Sequence, residues 1–321
     1  MLRHDDEEIV AKRNNVSINE LQKIIKECKK QLLEIREKRI KPGLDNKIIT
    51  SWNALMIKAY ADAYTVFDEK YFKDIALSNV DFLLKNCLRD NNKLSHLALA
   101  TSPLTPLQLE RGTDSVLGFL EDYSFMIEAL ISCYEISLEE NYLHKANDLM
   151  KYVIAHFQDE KSGMFYFTSD TDKALISRKM ELSDNVIPAS NSSIAKSLFM
   201  LGHHFGTGEY IQMSKKMLNN LLGEIENYGA GYSNWAMLLL NFSTPFHELA
   251  IVGKSVDEKR KILNKHYHPN KIFVGSTSES SLPLLLNRYK KDETFIYVCK
   301  NNACLTPVKE IEDALKQMDT E

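Results

Sequence analysis

Three absences narrow the field before any motif is read. Only five of the 321 residues are cysteines (Cys28, Cys87, Cys133, Cys299 and Cys304), and they are odd in number and scattered. That is no framework for a disulfide-stapled secreted domain, and it suits a reducing compartment. Surplus basic charge is missing as well: 40 Lys and Arg stand against 44 Asp and Glu, a formal charge of −4. A nucleic-acid partner would call for a basic excess, so none is expected. No apolar run approaches the roughly 18–20 residues of a membrane span. Met1–Glu8 holds no signal core. A cytoplasmic protein without membrane or nucleic-acid partners is the expectation.

What is present is a globular composition, 44% hydrophobic and 26% charged. Ser17 and Glu20 form a capping box, opening a helix to about Lys38 with Leu21, Ile24, Ile25, Cys28, Leu32 and Ile35 as its buried stripe. After Pro42 and Gly43 comes a helix apolar on nearly every side, with Trp52, Leu55, Met56, Ala59, Tyr60 and Ala63 as one stripe. A helix of that kind belongs inside a larger helical assembly. The helix from Glu69 to Asn86 is amphipathic and predicts an outer layer. The pair recurs as 118–136 with 141–157, and as 190–202 with 209–225, at a spacing of about 70 residues. A fourth inner helix is expected over 233–242. The connections between pairs carry strand character, at 93–100 and in a hairpin formed by 164–167 and 174–178.

After Pro245 the pattern changes. Strands are expected at 247–252, 271–275 and 294–299, with helices at 256–267, 281–289 and 307–317. That alternation predicts a small parallel α/β unit over 245–321, following a helical part over 1–244.

The inner helices carry polar residues near their N-terminal ends: Trp52 and Asn53, then Glu121, Asp122 and Tyr123, then Asn191, then Asn234. Gathered at one mouth, Asp122 and Glu121 are the candidate catalytic carboxylates. Trp52, Asn53, Asp45, Tyr123, Asn191 and Asn234 are the candidate substrate-binding residues. Adjacent helical positions point about 100° apart, so only one of Glu121 and Asp122 is expected to face the bore. No metal site and no cofactor are expected. Gly253-Lys254-Ser255 lacks the earlier glycine of a phosphate loop, Glu248 standing in its place. Cys299 and Cys304 read as strand-end thiols packed in the sheet, and His203 and His204 as cations suited to a helix C-terminus.

Four stretches carry a resemblance. Pro42-Gly43-Leu44-Asp45-Asn46-Lys47 through Ser51-Trp52-Asn53 resembles an "RPxxDDKxLTSWN" signature, with Asn46 in place of the second Asp. Phe119-Leu120-Glu121-Asp122-Tyr123 is similar to "FLEDY", and Asp184 through Ser192 to "DxxxPSGNS". Tyr297 through Val308 resembles "YVCxxxxCxxPV". These are motifs of the spermatogenesis-associated, YyaL-type thioredoxin-domain-containing family. The resemblance implies a mainly α fold, a partial (α/α)6 toroid of the six-hairpin glycosidase-like kind. It also implies that a thioredoxin-like domain and two hairpins precede this region in full-length relatives. Two functions follow as expectations: a carbohydrate-active, glycosidase- or epimerase-like scaffold, or a non-catalytic binding module of a redox-linked protein. An open ring would leave Leu55, Ile57, Phe125 and Met126 partly uncovered, so self-association or docking of a separately encoded N-terminal partner is expected.

Overall fold

The computed structural model describes residues 5–98, 116–172, 177–300 and 303–319. They fall into two compact units, Met1–Asn46 and Lys47–Glu321.

The first unit pairs α1 (Glu7–Arg13) with α2 (Ile18–Glu37). Ser17 caps α2 as its sequence dictates: the Glu20 amide donates to Ser17 Oγ, and Glu20 Oε2 accepts from the Ser17 amide at 3.0 Å. The expected buried stripe is only begun. Leu21 is buried, whereas Ile24, Cys28, Leu32 and Ile35 are exposed. Within this unit α1 is less than half the length of α2 and cannot cover more of it.

In the second unit the inner helices are α3 (Thr50–Phe67), α5 (Leu120–Ser137), α7 (Ser190–Phe205) and α10 (Ser233–Ser243). Three outer helices back them: α4 (Lys70–Asn86) on α3, α6 (Glu140–Phe157) on α5 and α8 (Gly208–Asn219) on α7. The third outer helix breaks at Asn220–Leu221 and resumes as α9 (Leu222–Asn227). α5 lies between α3 and α7 and is buried on almost every side, including Phe125 and Met126. This is the layout of a partial (α/α) toroid in a mainly helical chain.

α3 stands at the end of the row, and that changes which of its faces is covered. Ala54, Ile57, Ala61 and Tyr64 are buried against α4 and α5. Trp52, Met56, Ala59, Val66 and Phe67 are exposed, so the expected buried stripe is the open one. Ile57, Phe125 and Met126 are fully covered, contrary to expectation, and Leu55 is half-buried.

The sheet has the order β2-β1-β3-β4, with β1 (His247–Gly253), β2 (Lys271–Ser276), β3 (Thr294–Lys300) and β4 (Ala303–Cys304). β1 and β2 are parallel, joined across α11 (Val256–Leu263), but β3 runs antiparallel to β1. The expected all-parallel sheet is therefore mixed. Residues 281–289 form turns instead of a helix, and without a helical crossover the chain re-enters in the opposite sense. α12 (Ile311–Asp319) packs on β3. The sheet's inner face, with Ala250, Val252, Ile272, Val274 and Cys299, belongs to the same apolar cluster as the helices. Tyr134 of α5 joins the two layers: its hydroxyl donates to the Gly275 carbonyl at 3.3 Å and accepts from the Gly275 amide at 3.2 Å.

Cys299 and Cys304 face each other across β3 and β4 and are disulfide-bonded, where separate thiols were expected. His204 also departs from expectation. It is wholly buried, edge-on to Tyr134, with neither ring nitrogen hydrogen-bonded among the described residues. Burial pushes its pKa down to about 3, so it is held neutral.

Candidate functional site

The site begins with the chain entering α5. Asp122 sits in the first helical turn and reaches back, so that Oδ2 accepts from the Phe119 amide at 2.9 Å. Its other oxygen accepts from the Ser51 amide in the first turn of α3, also at 2.9 Å. One carboxylate thereby satisfies orphan amides at two helix starts, where the dipoles favour negative charge.

The third partner is His96, whose Nδ1 lies 2.9 Å from Asp122 Oδ2. With Asp122 ionised, Nδ1 carries the proton and Nε2 is the free basic end. Backbone pairing places this histidine. The Thr50 amide donates to the His96 carbonyl and the His96 amide to the Val116 carbonyl, both at 2.9 Å. The ring rests against Phe119, centroids 5.0 Å apart. Glu121 completes the group, its Oε1 accepting from Ser51 Oγ at 3.3 Å. Ligand atoms of His96, Glu121 and Asp122 all lie within 4.8 Å of one another. The two carboxylates therefore lie in one cluster but differ in access: Asp122 curls back as a cap and is wholly buried, while Glu121, drawn to Ser51, is half-buried.

The electrostatics raise all three pKa values, which favours the neutral form of the two carboxyls and the charged form of the imidazole. The Asp122 hydrogen bond raises the His96 pKa above its ordinary value, against partial burial. Burial raises Glu121, reinforced by the charge of Asp122 and, further off, of Glu181. Burial also raises Asp122, opposed by His96 and by the two amides. The trio has the spacing of a divalent-cation site. Both Asp122 oxygens and His96 Nδ1 are already engaged, however, so a cation would first have to break the His96–Asp122 bond.

A second polar cluster occupies the starts of α7 and α10. Asp184 accepts from the Ala189 amide, Ser192 Oγ and the Asn234 amide. Asn234 donates to Ser192 Oγ and accepts from Lys196 Nζ, each at 2.8 Å. Asn191 is buried and pairs through its amide with both backbone groups of Phe165. Glu181 accepts from the Ser190 amide and hydroxyl.

The sequence-predicted residues thus divide. Asp122 and Glu121 come together, and Trp52, the residue after Ser51 in the first turn of α3, is 63% exposed. Asn53 is half-buried and spends its amide on the Ile49 carbonyl of its own helix. Tyr123 is buried, its hydroxyl accepting from the Leu94 amide and its ring stacked on Tyr152, so it offers no face to a ligand. Asn191 and Asn234 are buried in the second cluster. Asp45 lies in the other compact unit and is exposed. His96, Glu181 and Asp184 were not expected. The one signal for His96 was the strand character of the connection that carries it, and residues 99–115 and 173–176 of the connections lie outside the described residues.

A separate cavity of about 390 Å³ lies among the middle and C-terminal portions of the inner helices. Lys58, Glu128, Glu135, Lys196 and Lys271 line it, with Met200 and Met237. Burial, then the charge of Asp62, pushes Glu135 up to about 7, although Lys58 and Lys271 oppose the shift.

Sequence comparison bears on the whole chain. No family model matches it. It is 28% identical over 317 residues to an uncharacterised protein of Caenorhabditis elegans, covering 96% of this chain and 42% of that one. It is 25% identical over 314 residues to human spermatogenesis-associated protein 20, covering 94% and 40%. The chain is a distant homologue of spermatogenesis-associated protein 20. The relationship extends the four motifs to nearly the full length, while the chain spans about two-fifths of the length of these relatives. Among solved structures, a GH76 α-mannanase of Bacteroides thetaiotaomicron aligns at 12% identity and a TM-score of 0.47, over 75% of this chain and 66% of that one. A cellobiose 2-epimerase of Bacillus thermoamylovorans aligns at 12% and 0.42, over 54% and 44%. No helix among the described residues is long and apolar enough to cross a membrane.

Proposed function

We propose that the mouth at the starts of α3 and α5 binds a carbohydrate, and that His96 and Glu121 move protons on it. The observation that carries this reading is the His96–Asp122 hydrogen bond at 2.9 Å with Glu121 in the same cluster. Asp122 orients the imidazole and supports its charged form, leaving Nε2 as the group that takes or gives a proton near neutral pH. Glu121, raised by burial, supplies the complementary acid. Trp52 gives an exposed aromatic face on which a sugar ring can stack.

A panel of mono- and disaccharides in a thermal-shift assay tests the reading. One sugar should raise the melting temperature, and Trp52→Ala should abolish the shift. With that sugar, His96→Gln should retain binding and lose turnover. No shift across the panel leaves the second reading, a non-catalytic binding or scaffold module. The open apolar stripe of Met56, Val66 and Phe67 on α3 favours that alternative, since such a face invites a covering partner.

A further inference from the structure

The disulfide between Cys299 and Cys304 has surroundings that a plain staple does not need. It closes a sequence separation of only five residues, so it removes little freedom from the unfolded chain. Arg288 reaches both sulfurs, with Nη2 3.1 Å from Cys304 Sγ and Nη1 3.6 Å from Cys299 Sγ. The guanidinium is fixed there by stacking on Tyr297, 4.5 Å from the ring centroid. A cavity of about 240 Å³ opens onto the pair, lined also by His247, Lys300 and Leu305. Cys299 is buried, while Cys304 is half-buried and borders the cavity.

Neutral disulfide sulfurs gain little from a cation, whereas a thiolate gains much. A Cys299 thiolate would otherwise face the buried carboxylate of Glu248, its register partner on β1. We propose that Cys299–Cys304 is a reducible disulfide that exchanges with small thiols of the glutathione class, and that Arg288 holds the departing thiolate. The incoming thiolate attacks Cys304 Sγ from the cavity. The Sγ–Sγ bond breaks, its electron pair goes to Cys299 Sγ, and a mixed disulfide with Cys304 remains. A second thiolate attacks the small-molecule sulfur of that mixed disulfide, releasing an oxidised thiol dimer and the Cys304 thiolate. Two electrons have then passed from two thiols to the protein, and protons from solvent neutralise the sulfurs as their acidities require.

The test is a redox titration of the full chain carrying Cys28→Ser, which removes the exposed free thiol. Samples equilibrated in stepped glutathione buffers are alkylated and read by intact mass. The pair should be oxidised without reductant and half-reduced within the glutathione range. Arg288→Gln should require a buffer about tenfold more reducing, or roughly 30 mV, and Arg288→Lys a smaller change. A second variant does not depend on how Arg288→Gln folds: Cys299→Ser, treated with oxidised glutathione, should gain one glutathione on Cys304. Both cysteines alkylating without reductant would overturn the proposal. So would a midpoint unmoved by Arg288→Gln in a folded protein, or no adduct on Cys299→Ser.

Discussion

Asp122 accepts from the Ser51 amide and faces His96 Nδ1 at the same distance, 2.9 Å. The contact that orients the imidazole is therefore also part of the joint between two inner helices. Asp122→Ala should strip both amides and the histidine of their partner and destabilise the protein by about 2–4 kcal/mol. Urea unfolding measures that loss. Asp122→Asn isolates the electrostatic part. By NMR titration, His96 should lose its raised pKa and fall toward the ordinary histidine value.

His204 should make the fold acid-sensitive. Its pKa is about 3 in the folded state, against 6.5 for an ordinary histidine, so only the unfolded chain takes up a proton between those values. Stability is retained above 6.5 and lost as the pH falls below it, by about 2–3 kcal/mol at a pH of about 4.5. His204→Leu should remove that part of the slope. Melting temperatures of the two proteins across this range decide it, and parallel curves would refute the assignment.

Glu135 acts in the opposite direction. Its pKa is raised from 4.5 to about 7, so its folded form holds a proton that the unfolded chain has lost. The contribution is fully present below 4.5 and declines as the pH rises through about 7. Glu135→Gln should therefore gain about 2 kcal/mol on wild type between acidic and mildly alkaline buffer. Denaturant unfolding at the two pH values provides the check.

Val66 and Phe67 end the uncovered stripe of α3. Self-association, one of the two outcomes expected of an open ring, would cover it. Light scattering at rising concentration should then give a mass above the 36.9 kDa of one chain. The double substitution Val66→Lys and Phe67→Lys should restore the single-chain mass without lowering the melting temperature. A wild-type monomer at every concentration would rule the association out.

The alternation of inner and outer helices was legible because periodicity records how many sides of a helix are covered. α5, apolar all round, and α6, amphipathic, follow that rule closely. Periodicity cannot say which neighbours exist, and so the stripe of Trp52 and Met56 was assigned to the wrong side of the surface. The site was half legible. Glu121 and Asp122 stood at a helix start, where capping chemistry already marks carboxylates. His96 is 26 residues from Asp122 and is delivered by a bridge to Val116, a pairing with no local pattern to announce it. The sense of β3 was likewise hidden, because it depends on turns forming over residues whose apolar content also suits a helix.

Tyr134 gives one phenol to both backbone hydrogen-bonding groups of a single residue, Gly275. A hydroxyl clasped on both sides in this way leaves the sheet no room to slide along α5 without breaking two bonds at once. Sheet and helices then have no separate lives to lose. Heating should dismantle them in one step, and amides on β2 should exchange with solvent no faster than those buried in α5.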